Sequence, residues 1–224
     1  MKGPRSSSPG WTTSAVPAGT SCHRPGVIAA GGQPAVPFRI DERVLKPRVG
    51  GFIAVGGSLT PQWKTLALPV LHTMTFSMQT AIADQVVFEG AGTPRSIVLD
   101  DAALARAAEL GRNVAEQIGR AFDDVEYRGD EPGLCPMCHL DVVALRGKDV
   151  ECATCGARGE LVVAGDDVSV RFTPEGCRSS VISLHGKHEH LREIQETATR
   201  HAGVREGIEA RASAYDAFDR SIRP

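Results

Sequence analysis

The stretch that decides the fold runs Val49-Gly50-Gly51-Phe52-Ile53-Ala54-Val55-Gly56-Gly57-Ser58. Its apolar part is short and continuous, which is typical of a strand buried on both faces, and the glycines after Val55 predict a turn. A helix should follow, because Thr60 can cap it with Pro61 at the first helical position. The apolar residues of this predicted helix recur at helical spacing: Trp63, Leu66, Ala67, Val70, Leu71 and Met74. Pro69 lies inside the run and predicts a kink.

A second strand and a second helix follow at similar spacing. Residues 82–88 predict the strand, and the glycine-rich loop 90–94 ends it. Asp100 or Asp101 caps the helix, whose predicted apolar face runs from Leu104 to Phe122. Strand, helix, strand and helix in this order favour a parallel sheet with right-handed crossovers. Since a doubly wound domain has about five or six strands, residues 39–130 are predicted to form only part of an α/β domain.

Four cysteines form two C-x-x-C pairs, Cys135 with Cys138 and Cys152 with Cys155. Zinc prefers four tetrahedral nitrogen or sulfur ligands, and two such turns facing each other supply four thiolates. Gly156 suits the second turn, because a positive φ lets backbone N–H groups point at sulfur. The pattern therefore predicts a zinc ribbon over residues 131–172, with short β runs at 142–145, 161–163 and 168–172.

Other chemistries use related cysteine patterns. Cys135 to His139 also reads C-x-x-C-H, the pattern of haem attachment, but haem leaves the second pair unexplained and the first 40 residues show no export signal. A thioredoxin-like dithiol opens a helix after a strand, whereas Pro132 and Gly133 precede this pair. Rubredoxin-type iron uses the same four thiolates and stays the alternative to zinc.

The composition limits the partners and the compartment. The chain has 25 Lys+Arg against 27 Asp+Glu, so we expect no nucleic acid and no membrane surface as partner. The cysteine spacing suits metal thiolates rather than disulfides, and no apolar run reaches the roughly 18 residues of a membrane helix. We therefore predict a cytoplasmic protein.

The two ends of the chain differ from its middle. Residues 1–38 are rich in Ser, Thr, Pro and Gly and predict a disordered leader. Residues 173–224 predict a helical tail, with helices at 187–200 and 205–218. Outside the pairs, Cys22 and Cys177 are interpreted as ordinary thiols. A further group is interpreted as a solvated turn: His185, His188 and His190.

The order of these motifs resembles the NAD(P)H-dependent FMN reductase family, in its iron–sulfur-flavoprotein-like branch. The matching segments, spread over about residues 40 to 200, are IAVGGSLTPQWKTL from Ile53, LPVLH from Leu68, DQV from Asp84, GAG from Gly90, LD from Leu99, GRNVA from Gly111 and the four-cysteine module. That family has a flavodoxin-like fold and holds FMN at the carboxyl ends of its parallel strands. The resemblance therefore implies the C-terminal half of a flavodoxin-like domain followed by the ribbon.

The resemblance also implies an activity. FMN would take a hydride from NAD(P)H and pass electrons to a small-molecule acceptor. The family's third FMN loop corresponds to Gly56, Gly57, Ser58, Leu59 and Thr60. Trp63 is a candidate shield for the flavin, with a place in the core as the competing interpretation. No catalytic side chain can be named.

Two features of the family have no counterpart in this sequence. The loops that cradle the FMN phosphate and underlie the ring are missing, and so is the compact cysteine cluster of iron–sulfur relatives. We therefore expect a truncated or frame-altered copy with impaired FMN binding. Relatives pair around the flavin, which implies a homodimer. The alternative function is a non-enzymatic zinc-ribbon module that docks a partner chain.

Overall fold

The structure, a computed structural model, describes residues 41–130 and 133–216. These residues form two compact units, Asp41–Lys187 and residues 188–216. The predicted leader, Cys22 and the end of the last predicted helix lie outside the described residues. The domain boundaries proposed from the sequence stay a prediction.

Two parallel strands and two helices form the first half of the larger unit. Strand β1 (Arg48–Val55) pairs in parallel with β2 (Thr80–Phe88), and helix α1 (Ala67–Thr75) connects them. Helix α2 (Asp101–Ala115) follows β2. Successive strand residues face opposite sides of the sheet, and Gly51 is on the side of α2. A Cβ on Gly51 would lie 2.9 Å from Leu110 and Val114 of α2. Glycine at this position therefore lets α2 approach the sheet closely.

The first helix starts later than the sequence predicts. Pro61–Trp63 form a separate 3-10 turn, and α1 begins only at Ala67. Pro69 consequently lies in the first turn of α1, where a backbone N–H has no helical acceptor to lose. The predicted kink at Pro69 is therefore wrong.

The second helix ends earlier than predicted, although its cap is confirmed. Asp100 accepts a hydrogen bond from the N–H of Ala103 at 3.0 Å, as an N-cap should. The helix stops at Ala115, and Gly119 adopts φ 90°, which the right-handed helix cannot accommodate. Ile118 is 72% exposed as a result, so the predicted apolar face as far as Phe122 is wrong.

The second half of the larger unit is an antiparallel sheet in sequential order, β3 (Val143–Arg146), β4 (Asp149–Cys152), β5 (Arg158–Ala164) and β6 (Asp167–Phe172). The sequence predicted three of these strands and missed β4, whose four residues are half polar and end on a cysteine.

The helical part of the chain begins after β6. Helices α3 (Pro174–Arg178), α4 (Leu184–Ala202) and α5 (Arg205–Ser213) follow one another. His185, His188 and His190 lie within α4, so the predicted histidine turn is wrong. None of the described helices is long and apolar enough to cross a bilayer. The predicted fold class is confirmed: a mixed α/β chain with parallel strands, then a four-cysteine module, then a helical tail.

The core of the larger unit is built around the four cysteines. They are 0% to 1% exposed. Other buried members of the same cluster are Leu140, Ala157, Phe172, Cys177 and Ile182. Leu68 and Phe76, at the two ends of α1, pack against this cluster, so α1 contributes to the core of the cysteine module.

Candidate functional site

The structure brings together Cys135, Cys138, Cys152 and Cys155, the four residues that the sequence singled out for metal. Their sulfur atoms all lie within 4.8 Å of one another. The Sγ atoms of Cys135 and Cys155 are 3.5 Å apart, as are those of Cys138 and Cys152. Four sulfurs at about 2.3 Å from a tetrahedral zinc would be about 3.8 Å apart. The tetrad is thus far too open for disulfides, in which the sulfurs are about 2.05 Å apart, and close to the size a metal ion requires.

Two matching turns hold the four sulfurs. The N–H of His139 donates to the carbonyl of Cys135 at 2.8 Å, and the N–H of Gly156 donates to the carbonyl of Cys152 at 2.9 Å. Each turn is closed by a return bond from the first cysteine's N–H, at 3.1 Å and 2.8 Å. The residue after each second cysteine is left-handed, with φ 58° at His139 and 73° at Gly156. The sequence predicted this role for Gly156 and missed it for His139, because histidine signals a left-handed backbone far less strongly than glycine does.

The thiols of the tetrad influence one another's ionisation. Hydrogen bonds with the other thiols, Cys138 first, and burial raise the pKa of Cys135. Hydrogen bonds with Cys135 and Cys138 lower the pKa of Cys152 and of Cys155. Four neighbouring thiolates would repel one another, and a divalent cation at their centre would supply the compensating charge.

A partly buried group of polar and aromatic side chains lies at the first cysteine turn, and the sequence did not reveal it. The rings of Tyr127 and His139 stack with centroids 3.9 Å apart. Burial lowers the pKa of His139 to about 4, so this ring is neutral near pH 7. Gln85 reaches the same turn from β2. The sequence feature that could have revealed this group is the pair of polar residues, Asp84 and Gln85, within a mostly apolar strand.

Asp84 anchors α2 on the other face of β2. It is 0% exposed and accepts two hydrogen bonds from Arg106, at 3.0 and 2.5 Å. Asn113 donates a third at 2.7 Å. The hydrogen bond with Asp84 raises the pKa of Arg106, and Asp130 adds a further bond at 2.5 Å. This buried pair is structural, because both carboxylate oxygens of Asp84 are committed to α2.

Two glycine-rich turns lie side by side at the carboxyl ends of β1 and β2. The N–H of Gly56 donates to the carbonyl of Phe88 at 2.8 Å, and the N–H of Ala91 donates back to the carbonyl of Gly56 at 3.2 Å. A Cβ on Gly57 would stand 3.3 Å from the Cα of Gly92. The predicted FMN loop therefore exists as a turn, and the loop after β2 is its close neighbour.

The first of these turns presents unpaired donors. The backbone N–H groups of Gly57, Ser58 and Leu59 find no acceptor among the described residues. The hydroxyls of Ser58 and Thr60 bond to each other at 2.7 Å, which holds the turn in shape. Trp63 is 80% exposed, so the competing interpretation of a core tryptophan is wrong. An apolar ring and free N–H groups thus border the same edge of the sheet.

Comparison with known proteins gives two similar chains. No family model matches the sequence. The chain is 41% identical over 161 residues to a protein named flavone synthase cfoJ from Aspergillus candidus, a match that covers 70% of this chain and 49% of that protein. A solved structure named flavone reductase is 32% identical with a TM-score of 0.65, over 82% of this chain and 62% of that one. The chain therefore spans about half the length of the curated relative it matches and shares the fold of a flavone reductase over most of its own length.

Proposed function

We propose that this chain is an oxidoreductase that uses FMN and NAD(P)H, with the Gly56–Thr60 turn against the flavin ring and zinc in the cysteine tetrad. One observation carries the proposal: free backbone N–H groups and an exposed tryptophan border the carboxyl edge of parallel strands. The similarity to proteins named flavone synthase and flavone reductase supports the redox class.

The residues present fit the ring of a flavin. The N–H groups of Gly57, Ser58 and Leu59 can donate to its carbonyl oxygens and ring nitrogens. Gly92 has no heavy atom within 4 Å of a Cβ position, so a flat ring can approach the second turn. Trp63 can cover the ring and exclude water. When bound, the flavin supplies hydride and electron transfer, and the protein supplies binding and orientation.

The substrate class follows from the relatives. The two similar proteins are named flavone synthase and flavone reductase. We therefore propose a planar flavone-type polyphenol as the small molecule that exchanges electrons with the flavin. The described residues offer contacts for the ring, and we assign none of them to the phosphate. We therefore propose that this chain alone holds FMN weakly.

We propose zinc as the metal of the tetrad, and rubredoxin-type iron, which uses the same four thiolates, stays the alternative. Four sulfurs buried in the core form a closed site with no position left for a substrate, which is the arrangement of structural zinc. We propose that the metal stabilises the fold and takes no part in the redox reaction.

The experiment measures metal and flavin separately. The purified chain is assayed for zinc and iron by elemental analysis, then titrated into FMN while flavin fluorescence is followed. We expect one zinc per chain and quenching at micromolar or weaker affinity. NADPH and NADH are then added without oxygen and with a flavone as the electron acceptor, and oxidation of the nicotinamide is followed by absorbance. A chain that leaves FMN fluorescence unchanged refutes the flavin proposal, and iron in place of zinc refutes the metal assignment.

A pair of variants tests the ring site. Trp63→Ala removes the exposed ring at the turn and should weaken FMN binding roughly two- to tenfold, the usual worth of an aromatic contact. Leu145→Ala is the control, because Leu145 is 59% exposed and lies on β3 of the antiparallel sheet, outside the parallel pair. Equal FMN affinities in the two variants would contradict the role of Trp63.

One observation favours the second function, a non-enzymatic docking module. Val70 and Met74 lie one turn apart on α1, Leu66 and Trp63 lie just before the helix, and these four apolar side chains are 56% to 80% exposed. Such an apolar stripe is typical of a protein-binding surface. A colourless zinc protein that ignores FMN but binds a partner through this stripe would support that function. The predicted homodimer and cytoplasmic location stay predictions.

A further inference from the structure

Gln85 links the parallel strands to the cysteine tetrad. It is 7% exposed on β2, directly after Asp84. Because neighbouring strand residues face opposite sides and Asp84 bonds to α2, Gln85 faces the side of α1 and the first cysteine turn. It is thus placed between two elements that are distant in sequence.

The amide of Gln85 bonds to both of these elements and also interacts with the side chain of Tyr127. Its Nε2 donates to the carbonyl oxygens of Cys138 and His139, both at 3.0 Å. Its Oε1 accepts from the Nε2 of His72 on α1 at 2.8 Å. Each amide hydrogen therefore has one acceptor, and a flipped amide would set its oxygen against two carbonyls. This arrangement has one orientation.

The two carbonyls belong to the part of the turn that metal binding must fix. Cys138 is a ligand, and His139 holds the left-handed conformation that closes the turn. If the turn opens, Gln85 loses both acceptors and its side chain is no longer held in place. His72, which is only 1% exposed, then loses a fixed hydrogen-bond partner. Buried polar groups without partners are costly, so opening of the turn is transmitted to α1.

We propose that Gln85 is the positioning residue that couples metal binding at the tetrad to the folding of β2 and α1. The inference rests on the metal part of the proposed function. It does not depend on flavin binding. Outer residues that orient metal ligands typically change affinity about 10- to 100-fold when replaced.

The test compares two buried glutamines of the same unit. Gln85→Met keeps the volume and removes the hydrogen bonds. Gln117→Met is the matched control, because Gln117 is 0% exposed and exchanges bonds of 3.0 and 3.2 Å with the backbone of Glu126 and with no cysteine. Zinc affinity is measured by competition with a chromophoric chelator, and Tm is measured with and without zinc.

We expect Gln85→Met to lower zinc affinity about 10- to 100-fold and to shrink the rise in Tm that zinc produces. Gln117→Met should lower Tm, but its zinc affinity and the rise in Tm that zinc produces should equal those of the wild type. Equal zinc affinity in the wild type and Gln85→Met would overturn this inference and leave the metal proposal standing. A wild-type chain that binds neither zinc nor iron would overturn the metal proposal and this inference with it.

A second measurement decides the matter if Gln85→Met does not fold. Hydrogen exchange of the wild-type chain is compared with and without zinc, and the amides of α1, Ala67–Thr75, are followed. Zinc should slow their exchange at least tenfold. Unchanged exchange in α1, with slowed exchange at the cysteine turns, would overturn the coupling.

Discussion

Replacing Arg106 by methionine should destabilise the larger unit more than any other arginine substitution we consider. Asp84 is 0% exposed and receives three hydrogen bonds, two of them from Arg106. The variant would leave a buried carboxylate with Asn113 as its remaining side-chain donor. Removing one partner of a buried ion pair costs about 3–5 kcal/mol. That is a large share of a typical stability of about 5–15 kcal/mol.

The size of the effect can be checked by urea and thermal unfolding followed by circular dichroism. At about 2–4 °C per kcal/mol for a unit of this size, Tm should fall by roughly 10 °C. Arg128→Met is the matched control, because Arg128 pairs with Glu116 and Glu126, which are 60% and 64% exposed. Exposed ion pairs contribute about 0–1 kcal/mol to stability, so the Tm of the control should stay close to that of the wild type.

A double variant separates charge from packing. Asp84→Asn in the Arg106→Met background keeps the shape of the side chain and removes the stranded charge, so it should recover most of the lost stability. If Arg106→Met and Arg128→Met unfold within about 1 kcal/mol of each other, the buried pair does not anchor α2 and the reasoning fails.

Three further perturbations test the same structure. Removal of zinc with a chelator, or Cys155→Ser, should unfold the larger unit, since structural zinc contributes about 10–16 kcal/mol in small domains; an unchanged far-UV spectrum would contradict this. Gly156→Ala should cost about 1–2 kcal/mol because φ is 73° there, whereas Gly111→Ala, with open space in helix α2, should stabilise by about 0.5–1 kcal/mol; urea midpoints that shift in the same direction for both would refute the assignment. Burial lowers the pKa of His72 below its usual 6.5, so the unfolded chain takes up the proton first and stability is lost as pH falls below about 6.5. His72→Gln should flatten that pH dependence in unfolding titrations at fixed zinc, and an equally steep curve would count against it.

Much of the local structure was predictable from single segments. The strand Arg48–Val55 and its glycine turn follow from a continuous apolar run that ends in Gly56 and Gly57. The cap at Asp100 follows from an acidic residue before a helical repeat. The predicted start of the first helix at Pro61 and the predicted end of the second at Phe122 were wrong, because the apolar spacing extends beyond the residues whose backbone is helical.

The amino-acid sequence by itself determined the four-cysteine cluster, because two C-x-x-C turns and Gly156 are local geometry that needs no knowledge of the rest of the chain. It also determined the order of the two parallel strands and of the helix that follows each of them. Only the tertiary structure decided that the tetrad is the core of the larger unit, that Trp63 is exposed, and that Gln85 bonds to Cys138, 53 residues further along the chain. Such contacts depend on which faces of distant elements meet, and no periodicity within one segment encodes that meeting.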